Sequence, residues 1–365
     1  MKENIRIAGS TTAGDWRELR LSLLESNDNW NEAFEVFQSR LDSRFFGPID
    51  IIKANSRKRG EGFSIALISV VLLEFISAFE LGKKYTTKRD KRTPCDYYSG
   101  YQLLKKFLMN SEIFRSHFES ESKIKSFYEN IRCGLVHEAK TLNDDIIISE
   151  NSSKNVQADS VYYIENGAGI LNRDLLLAKI KEHIIDYKSR ILGNDIQLQN
   201  NFLLKMDELA GLRHVWYFVY GSNLLDEQLN NRLGKLNERY LYKVRCSVKD
   251  YEFKYNKRSI DGTSKGNIEK VGSGRVEGVA VLILESKLDE FIQKYEIGYN
   301  KISVKVTTEE AFDKGERLSF YAYTCMSYNT TASAPSTEYE SKIVTGARES
   351  GLPEGYIKDF LKFHS

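Results

Sequence analysis

A chain of 365 residues exceeds the usual domain size of about 100 to 200 residues, so two domains are expected. Hydrophobic residues make up 41% of the chain and charged residues 28%, as in soluble globular proteins. No apolar run reaches the length of about 18 residues that is needed to span a bilayer. The longest run, Phe63 to Phe79, is interrupted by Ser64, Ser69, Glu74 and Ser77. The composition therefore predicts no membrane interaction, and the net charge of +2 limits any nucleic-acid contact to a local patch.

The four cysteines, Cys95, Cys133, Cys246 and Cys325, are scattered without the C-x-x-C spacing of zinc or redox sites. They predict reduced thiols and no disulfide framework. Residues Met1 to Ser10 carry charged side chains with no apolar core behind them, so neither a secretory signal nor a transit peptide is predicted. We therefore expect a cytoplasmic protein that needs neither a metal nor a cofactor.

Apolar residues in the first half recur at three- and four-residue spacing, which is typical of amphipathic helices. The predicted helices are Asp15 to Leu24, Trp30 to Leu41, Phe63 to Leu81, Tyr98 to Met109 and Ser122 to Val136. A further helix is expected after Asn172, which is a good N-cap. Asp145 to Ser149 and Ser160 to Ile164 are predicted to form a short hairpin whose loop is Glu150 to Asp159. Apart from this hairpin, residues 1–195 are predicted to form an all-α helical domain.

The second half has a different character. The chain becomes polar and rich in Asn and Gln around residues 193–212, so residues 196–212 are predicted to be a linker. Strand-like apolar runs dominate residues 213–365. The predicted strands are Val215 to Val219, Val248 to Tyr255, Gly278 to Leu284, Ile302 to Val306 and Leu318 to Thr324, and the predicted helices are Leu288 to Tyr295 and Glu338 to Ser350. This mixture predicts a second domain of the α+β or barrel-like class.

The first of these strands runs into the segment Tyr220-Gly221-Ser222-Asn223-Leu224, where a glycine and two small polar residues follow aromatic residues. A loop of this kind presents backbone N–H groups, and several amides that point one way can hold a carboxylate or a developing oxyanion. The glycine is expected to supply a positive φ and to allow a close approach. The pattern alone is more typical of an ordinary turn after a strand.

Tyr220-Gly221-Ser222-Asn223 after an aromatic strand resembles the signature loop of the γ-glutamylcyclotransferase (AIG2-like) family. Other segments are similar to that family in the same order along the chain. They are Asn256 to Ile268, Arg275 to Val279, Ile292 to Tyr299 and Pro335 to Tyr356. The resemblance implies a mixed α+β barrel over residues 213–365. Ile292-Gln293 and Ile297 depart from the family pattern, in which Leu-Asp and Gly are common, and this departure bears on the identity of the substrate.

By position, the resemblance assigns the family's catalytic glutamate to Glu296. In that family a γ-glutamyl amine or peptide releases 5-oxoproline, because its α-amine loses a proton and attacks its own γ-carbonyl. One carboxyl group beside both nitrogens can remove that proton and return it to the departing amine, if burial brings its pKa towards the working pH. Tyr299 and Tyr339 fall where the family has pocket tyrosines, and residues 220–224 match its substrate-binding loop. The alternatives are packing for each tyrosine and, for Glu296, a helix-end carboxylate in an inactive domain.

A second motif lies in the first half, where Arg132 and His137 are separated by four residues. Arginine binds phosphate and histidine titrates near neutrality, so the pair could serve metal-free RNA cleavage. The spacing resembles the R-x4-6-H motif of HEPN domains, which implies a HEPN-like helical domain, RNA as a partner and a homodimer formed through this domain. Cys133 stands where active members commonly carry a polar residue. Under the alternative, the two residues are a partly buried salt-bridging pair near a helix end.

Three functions follow from these motifs. The first is a γ-glutamylcyclotransferase that acts on a γ-glutamyl small molecule through Glu296 and is fused to a HEPN-like domain. The second is a metal-independent endoribonuclease of toxin or defence type that uses Arg132 and His137, with the C-terminal domain as a ligand sensor. The third is a non-catalytic binding protein, for which substitutions at either site would leave function unchanged.

Overall fold

The computed structural model of the protein describes residues 3–23, 29–55, 60–149, 159–312 and 315–363. The chain divides into two compact units. The first contains Met1–Tyr85 and Tyr97–Gly211, and the second contains Thr86–Asp96 and Leu212–Ser365.

The first unit is mainly helical. Its helices are α1 (Ala13–Ser22), α2 (Asn29–Leu41), α3 (Gly47–Ala54), α4 (Glu61–Glu80), α5 (Gly100–Asn110), α6 (Glu121–Ser126), α7 (Arg173–Leu192) and α8 (Ile196–Leu209), with π-helical segments at Asp42–Phe46 and Phe127–Glu138. Each helix that the apolar spacing predicts is found, although Leu24, the predicted end of the first one, lies outside the described residues. Asn172 caps α7 as expected, because its side chain accepts a hydrogen bond from the amide of Leu175 (3.0 Å).

Aromatic side chains fill the core of this unit. Phe202 of α8 lies at its centre and contacts Phe34 and Phe37 of α2 and Phe79 of α4, with ring centroids 5.6 to 6.1 Å apart. Helix α4 is long and apolar enough, by length and composition alone, to cross a membrane. However, 56% of its apolar window is buried within the protein, as in the core helix of a globular domain.

Two predictions for the first unit are wrong. Residues 196–212 are not a linker, because most of them form α8, which Asp195 caps and which buries Leu198, Phe202 and Met206 at four-residue spacing. The unit is not all-α either. It contains the short strands β1 (Arg6–Ala8), β2 (Thr11–Thr12), β3 (Lys84–Tyr85), β4 (Asp96–Tyr97), β5 (Ile146–Ile148), β6 (Tyr162–Glu165) and β7 (Ala168–Asn172), of which β4 begins in the segment assigned to the second unit.

The predicted hairpin is also corrected. Strands β5 and β6 form close to where they were expected, but each of them pairs with β7, β5 in parallel and β6 antiparallel. The true hairpin joins β6 to β7 through Asn166 and Gly167, whose φ angles of 50° and 84° fit a two-residue turn. Most of the predicted loop, residues 150–158, lies outside the described residues.

The second unit is built around a closed five-stranded barrel whose strands follow the order β10-β8-β12-β11-β9. The strands are β8 (His214–Val219), β9 (Tyr242–Arg258), β10 (Ser264–Leu284), β11 (Asn300–Ala311) and β12 (Arg317–Met326). The helices are α9 (Asp226–Gly234), α10 (Glu285–Tyr295), α11 (Thr337–Glu349) and α12 (Glu354–Tyr356), with 3-10 turns at Arg89–Lys91 and Ser222–Leu224 and a π-helical segment at Ile357–Leu361. All five predicted strands and both predicted helices are present, so the mixed α+β barrel is confirmed for this region.

Candidate active site

Residues from several parts of the barrel unit meet in one small inner cavity. Its lining includes the end of β8 with the turn that follows it, the turn after α10, and the start of α11. The predicted site residues that line it are Tyr220, Gly221, Ser222, Asn223, Glu296, Tyr299 and Tyr339. Leu224 does not, since its side chain is fully buried behind the turn. The fold therefore brings together residues that are up to about 120 positions apart in the sequence, as the closure of a barrel allows.

Glu296 is the carboxylate at the centre of this cavity. It follows the last residue of α10, and its Oε1 accepts hydrogen bonds from Asn223 Nδ2 (2.7 Å) and the Tyr217 hydroxyl (3.4 Å). Burial of the carboxyl group raises the pKa of Glu296 above its ordinary value, and the nearby Arg232 together with the Asn223 and Tyr217 hydrogen bonds offsets only part of that rise. The result is a carboxyl group that is partly accessible from the cavity and whose pKa is shifted towards neutrality.

Asn223 is itself held by two residues of α9. Its Oδ1 accepts hydrogen bonds from Arg232 Nη1 (2.7 Å) and Gln228 Nε2 (3.3 Å), so its NH₂ group must be the one that faces Glu296. Gln228 also donates to Ser222 Oγ (2.9 Å). Arg232 and Gln228 were not among the site residues predicted from the sequence. Their four-residue spacing on the helix directly after the signature loop places both on one face, and this was the available signal.

The turn that carries Asn223 differs in detail from the expectation. Gly221 has a φ of −109°, so it does not adopt the left-handed conformation that the sequence suggested. The amide of Leu224 donates to the Gly221 carbonyl (2.9 Å) and is not available to a ligand. Ser222 and Asn223 begin the helical turn, and the first amides of such a turn have no acceptor within it. These two amides, and not that of Leu224, are suited to bind an anion.

Close packing of α11 against this turn requires a glycine. A Cβ atom on Gly346 would lie 2.1 Å from the backbone nitrogen of Leu225, so only glycine allows the helix to approach the loop this closely. That approach brings Tyr339, at the start of α11, to the cavity. The Tyr339 hydroxyl accepts a hydrogen bond from the amide of Gly266 (3.1 Å).

A tight turn sets Tyr299 beside Glu296. The amide of Tyr299 donates to the Glu296 carbonyl (3.1 Å), and Gly298 between them has a φ of +80°, as a type II turn demands. The Tyr299 hydroxyl donates to the Gly266 carbonyl (2.6 Å), and the Tyr220 hydroxyl donates to the Cys325 carbonyl. These two hydroxyls are thus already bound to the backbone, and they shape the cavity.

The inner cavity opens into an outer groove of about 490 Å³. Glu296, Tyr299 and Tyr339 line both spaces. The groove also carries the basic residues Arg232, Lys257, Lys265 and Lys342. The groove carries acidic residues as well, namely Asp261, Glu296 and Glu338, so a substrate can place one part beside Glu296 and the rest among charges of both signs.

The motif of the first unit has a different geometry. Arg132 lies in the π-helical segment Phe127–Glu138, and its Nε and Nη2 contact Glu74 Oε2 at 3.0 and 2.8 Å. Its guanidinium also lies over the ring of Tyr128, 5.5 Å from the centroid. His137 is exposed near the end of the segment. Throughout the part of the chain that the structure describes, no group of three or more His, Cys, Asp or Glu side chains is arranged to hold a metal ion.

Comparison with known proteins gives this geometry a family context. Residues 275–360 match the model of the AIG2-like family. The chain is 27% identical over 158 residues to the γ-glutamylcyclotransferase of Mus musculus, covering 38% of this chain and 73% of that protein. The human γ-glutamylcyclotransferase gives the same identity over 154 residues. A solved structure of a γ-glutamyl cyclotransferase is similar at 25% identity and a TM-score of 0.34, covering 40% of this chain and 88% of that one.

The C-terminal region is therefore similar to enzymes of the γ-glutamylcyclotransferase class, as its signature loop predicts. These similarities concern the C-terminal part of the chain and provide no support for a HEPN-like fold in the first unit. That assignment stays a prediction.

Proposed function

We propose that the barrel unit is a γ-glutamylcyclotransferase in which Glu296 is the general acid and base. The observation that carries this proposal is a single carboxylate with a raised pKa, held by Asn223 in a cavity beside the amides of Ser222 and Asn223. The substrate is a γ-glutamyl amine or peptide, and the products are 5-oxoproline and the free amine.

The reaction needs one proton to move between two nitrogens. Glu296 accepts a proton from the substrate's α-amine as that nitrogen forms its bond to the γ-carbon. It then donates the proton to the departing nitrogen as the old carbon–nitrogen bond breaks. A group whose pKa lies nearer to the working pH serves both steps better than an ordinary carboxyl group, and burial supplies that shift in Glu296.

The cavity contributes orientation and charge stabilisation. Because the ring closure is intramolecular, the protein mainly has to hold the γ-glutamyl group in its attacking shape, which the walls formed by Tyr220, Tyr299 and Tyr339 favour. The amides of Ser222 and Asn223 are the donors for the oxyanion that develops on the γ-carbonyl. Tyr217 and Asn223 keep the Glu296 carboxyl group in place throughout.

The test is release of 5-oxoproline from a panel of γ-glutamyl dipeptides and γ-glutamyl amines. Wild-type protein should yield 5-oxoproline from at least one member, and Glu296→Gln should lower kcat/KM by about 10²- to 10⁴-fold, the usual contribution of a general acid or base. Product from neither protein, with both folded, would reject the enzyme assignment and favour a binding role for the cavity.

The ribonuclease hypothesis for Arg132 and His137 has weaker structural support. The Arg132 guanidinium is already bound to Glu74 through two nitrogens, so a phosphate would have to displace or share that carboxylate. The hypothesis predicts RNA cleavage that Arg132→Ala and His137→Ala abolish. RNA binding, the homodimer, the absence of a membrane role and a cytoplasmic location stay predictions as well.

A further inference from the structure

The outward side of β11 and β12 combines hydroxyl, aromatic and basic side chains. Buried and more exposed side chains alternate along both strands, as expected where one side of a sheet faces a core. The buried ones are Val304 and Val306 of β11 and Leu318, Phe320 and Ala322 of β12. The outward ones, which form the hairpin face, are Ser303, Lys305 and Thr307 of β11 and Arg317, Ser319, Tyr321 and Tyr323 of β12. None of these outward residues lines the inner cavity or the outer groove, so the hairpin face is separate from the Glu296 site.

Two tyrosines stand in line on the hairpin face. Tyr321 and Tyr323 are two residues apart on one strand, so they project from the same side at a spacing of about 6.6 Å. Tyr321 is 71% exposed, although β12 has a neighbouring strand on each side. A ring that buries so little of its area contributes little to the stability of the fold. Its exposed surface can instead stack on a flat partner.

Cationic groups flank both rings. Lys305 is the direct cross-strand partner of Tyr321, and Lys301 Nζ lies 4.0 Å from the centroid of the Tyr323 ring. Within the described ranges, Lys305 is exposed and has no carboxylate oxygen within 4.0 Å. Glu309, further along β11, has a side chain that is only 9% exposed and is already bound in an ion pair at 2.7 Å. Lys305 can therefore contact an anion beside Tyr321.

The basic residues continue beyond the hairpin into the segment Thr86–Asp96, which belongs to the same unit. Glu316, directly before β12, contacts Arg92 at 2.9 Å and Arg89 at 3.7 Å, which sets this segment at the Arg317 end of the hairpin face. Among the described residues, the cations along the row are Lys88, Arg89, Lys91, Arg317, Lys305 and Lys301, and the exposed carboxylates beside it are Asp90, Asp289, Glu310 and Glu316. A row of separated cations suits a chain with a negative charge at each repeat better than it suits one small anion.

We propose that the hairpin face binds single-stranded nucleic acid. Successive bases stack on Tyr321 and Tyr323, and the phosphates beside them contact Lys305 and Arg317. The bases must be unpaired, because those of a duplex are already stacked on one another. An acidic peptide would contact the same cations, but it has no flat ring at each repeat to place on the two tyrosines. The binding takes no part in the chemistry at Glu296 and does not rest on the proposed function.

The test is fluorescence anisotropy with labelled oligouridylate and oligodeoxythymidylate of about ten nucleotides, a length within the usual site size for single strands. Wild-type protein should bind at least one of the two strands, more weakly as the salt rises from about 50 to 200 mM. Tyr321→Ala should raise Kd by about tenfold through the loss of one stacked base. Lys305→Gln should lower the slope of log Kd against log salt by about 0.7, the effect of one phosphate contact.

Two substitutions of the same residue types outside the hairpin face are the matched controls. Tyr328→Ala removes a tyrosine that is 72% exposed and lies beyond the end of β12. Lys235→Gln removes an exposed lysine directly after α9. Both should bind the strands as the wild type does. Thermal denaturation should give the same midpoint for all these variants, because each substituted side chain is exposed.

Three results would overturn the inference. The first is no binding of either single strand by the wild-type protein at about 50 mM salt. The second is equally tight binding of a duplex of the same length, which would leave no role for unpaired bases. The third is an oligoglutamate peptide that binds as tightly as the single strands while Tyr321→Ala weakens neither ligand, which would make the face a site for acidic peptides. Tighter binding of one strand than of the other would identify RNA or DNA as the preferred ligand.

Discussion

Each unit of the protein holds an arginine near a carboxylate, but the two arrangements differ by one residue. In the first unit, Arg132 contacts Glu74 directly, at 2.8 and 3.0 Å. In the second unit, Arg232 reaches Glu296 only through Asn223, with 2.7 Å hydrogen bonds on either side of the amide. The same two kinds of charged group thus form a direct ion pair in one unit and are bridged by an amide side chain in the other.

This difference decides what each carboxylate can do. A direct ion pair with two contacts uses the lone pairs of the carboxylate, which suits a structural role. The side-chain amide of Asn223, placed between Arg232 and Glu296, orients the carboxylate but carries no charge of its own. Burial therefore still raises the pKa of Glu296. Glu296 therefore keeps a pKa that burial raises, whereas Glu74 and Arg132 are bound directly to each other. Substitutions that alter one arrangement or the other test this difference.

The largest effect is expected from Asn223→Asp. This substitution replaces the bridging amide by a carboxylate that pairs directly with Arg232. A second carboxylate would lie where Asn223 now donates at 2.7 Å, and like charges at that distance raise the pKa of the pair. We expect kcat/KM for 5-oxoproline release at pH 7 to fall by about 100-fold, or about 2.7 kcal/mol, with partial recovery as the pH rises. Asn300→Asp, which adds the same charge at an exposed position of β11, is the control. If the acidic limb of the pH profile of kcat/KM lay at the same pH in Asn223→Asp as in the wild type, the role given to Asn223 would be contradicted.

The next effect concerns the ion pair of the first unit. Arg132→Met leaves the Glu74 carboxylate, whose side chain is only 15% exposed, without its partner. We expect the free energy of unfolding to fall by about 2 kcal/mol in urea titrations, somewhat less than for a fully buried pair. Adding Glu74→Gln to Arg132→Met should restore part of that loss, because the charge left unpaired is then removed. A double variant less stable than the single one would show that groups other than Arg132 stabilise the Glu74 carboxylate.

A smaller effect is expected from Arg232→Gln, which keeps a donor near Asn223 but removes the charge. Arg232 lowers the pKa of Glu296, so its loss should raise that pKa further and move the acidic limb of kcat/KM to higher pH. At pH 7 we expect a loss of up to about tenfold, or 1.4 kcal/mol. The loss should shrink at alkaline pH, where Glu296 is ionised in both proteins. A loss independent of pH would instead indicate a purely structural role for Arg232.

The smallest effect is expected from Tyr299→Phe. The Tyr299 hydroxyl donates to the Gly266 carbonyl at 2.6 Å, so the substitution should lower the free energy of unfolding by about 1 kcal/mol, the usual contribution of one hydrogen bond. Thermal denaturation measures this loss. If Tyr299 only shapes the cavity, kcat should fall by less than about 10²-fold, which is the smallest loss expected for Glu296→Gln. A comparable fall in kcat would assign the Tyr299 hydroxyl a direct part in the reaction.

Much of the fold could be predicted from residue spacing. Strand-like runs located all five barrel strands, and apolar periodicity located most helices of the first unit. The helix α8 was missed because its Asn and Gln residues, several of them buried, suggested a linker, although Leu198, Phe202 and Met206 have helical spacing. The β6–β7 hairpin was missed even though Asn166-Gly167 is a strong hairpin signal.

The site was less predictable from the residues alone. Glu296 was assigned through a family resemblance, because no spacing rule identifies one glutamate at the end of a helix as catalytic. Arg232 and Gln228 were missed, since a side chain that acts through another has no signature in sequence until the fold sets it beside its partner. The expected positive φ at Gly221 was wrong because the amides of the turn are presented by the 3-10 conformation of residues 222–224.

The most direct test of the role of Glu296 is the pH dependence of kcat/KM for 5-oxoproline release by the wild-type protein. Because the general base must be ionised, activity should fall as the pH drops through the pKa of Glu296. Burial raises that pKa, so the midpoint of the acidic limb should lie above 4.5, the ordinary value for a glutamate. Glu296→Gln should lack this limb and retain little activity. A wild-type profile that stays flat down to pH 4.5, or a Glu296→Gln variant as active as the wild type, would contradict the assignment.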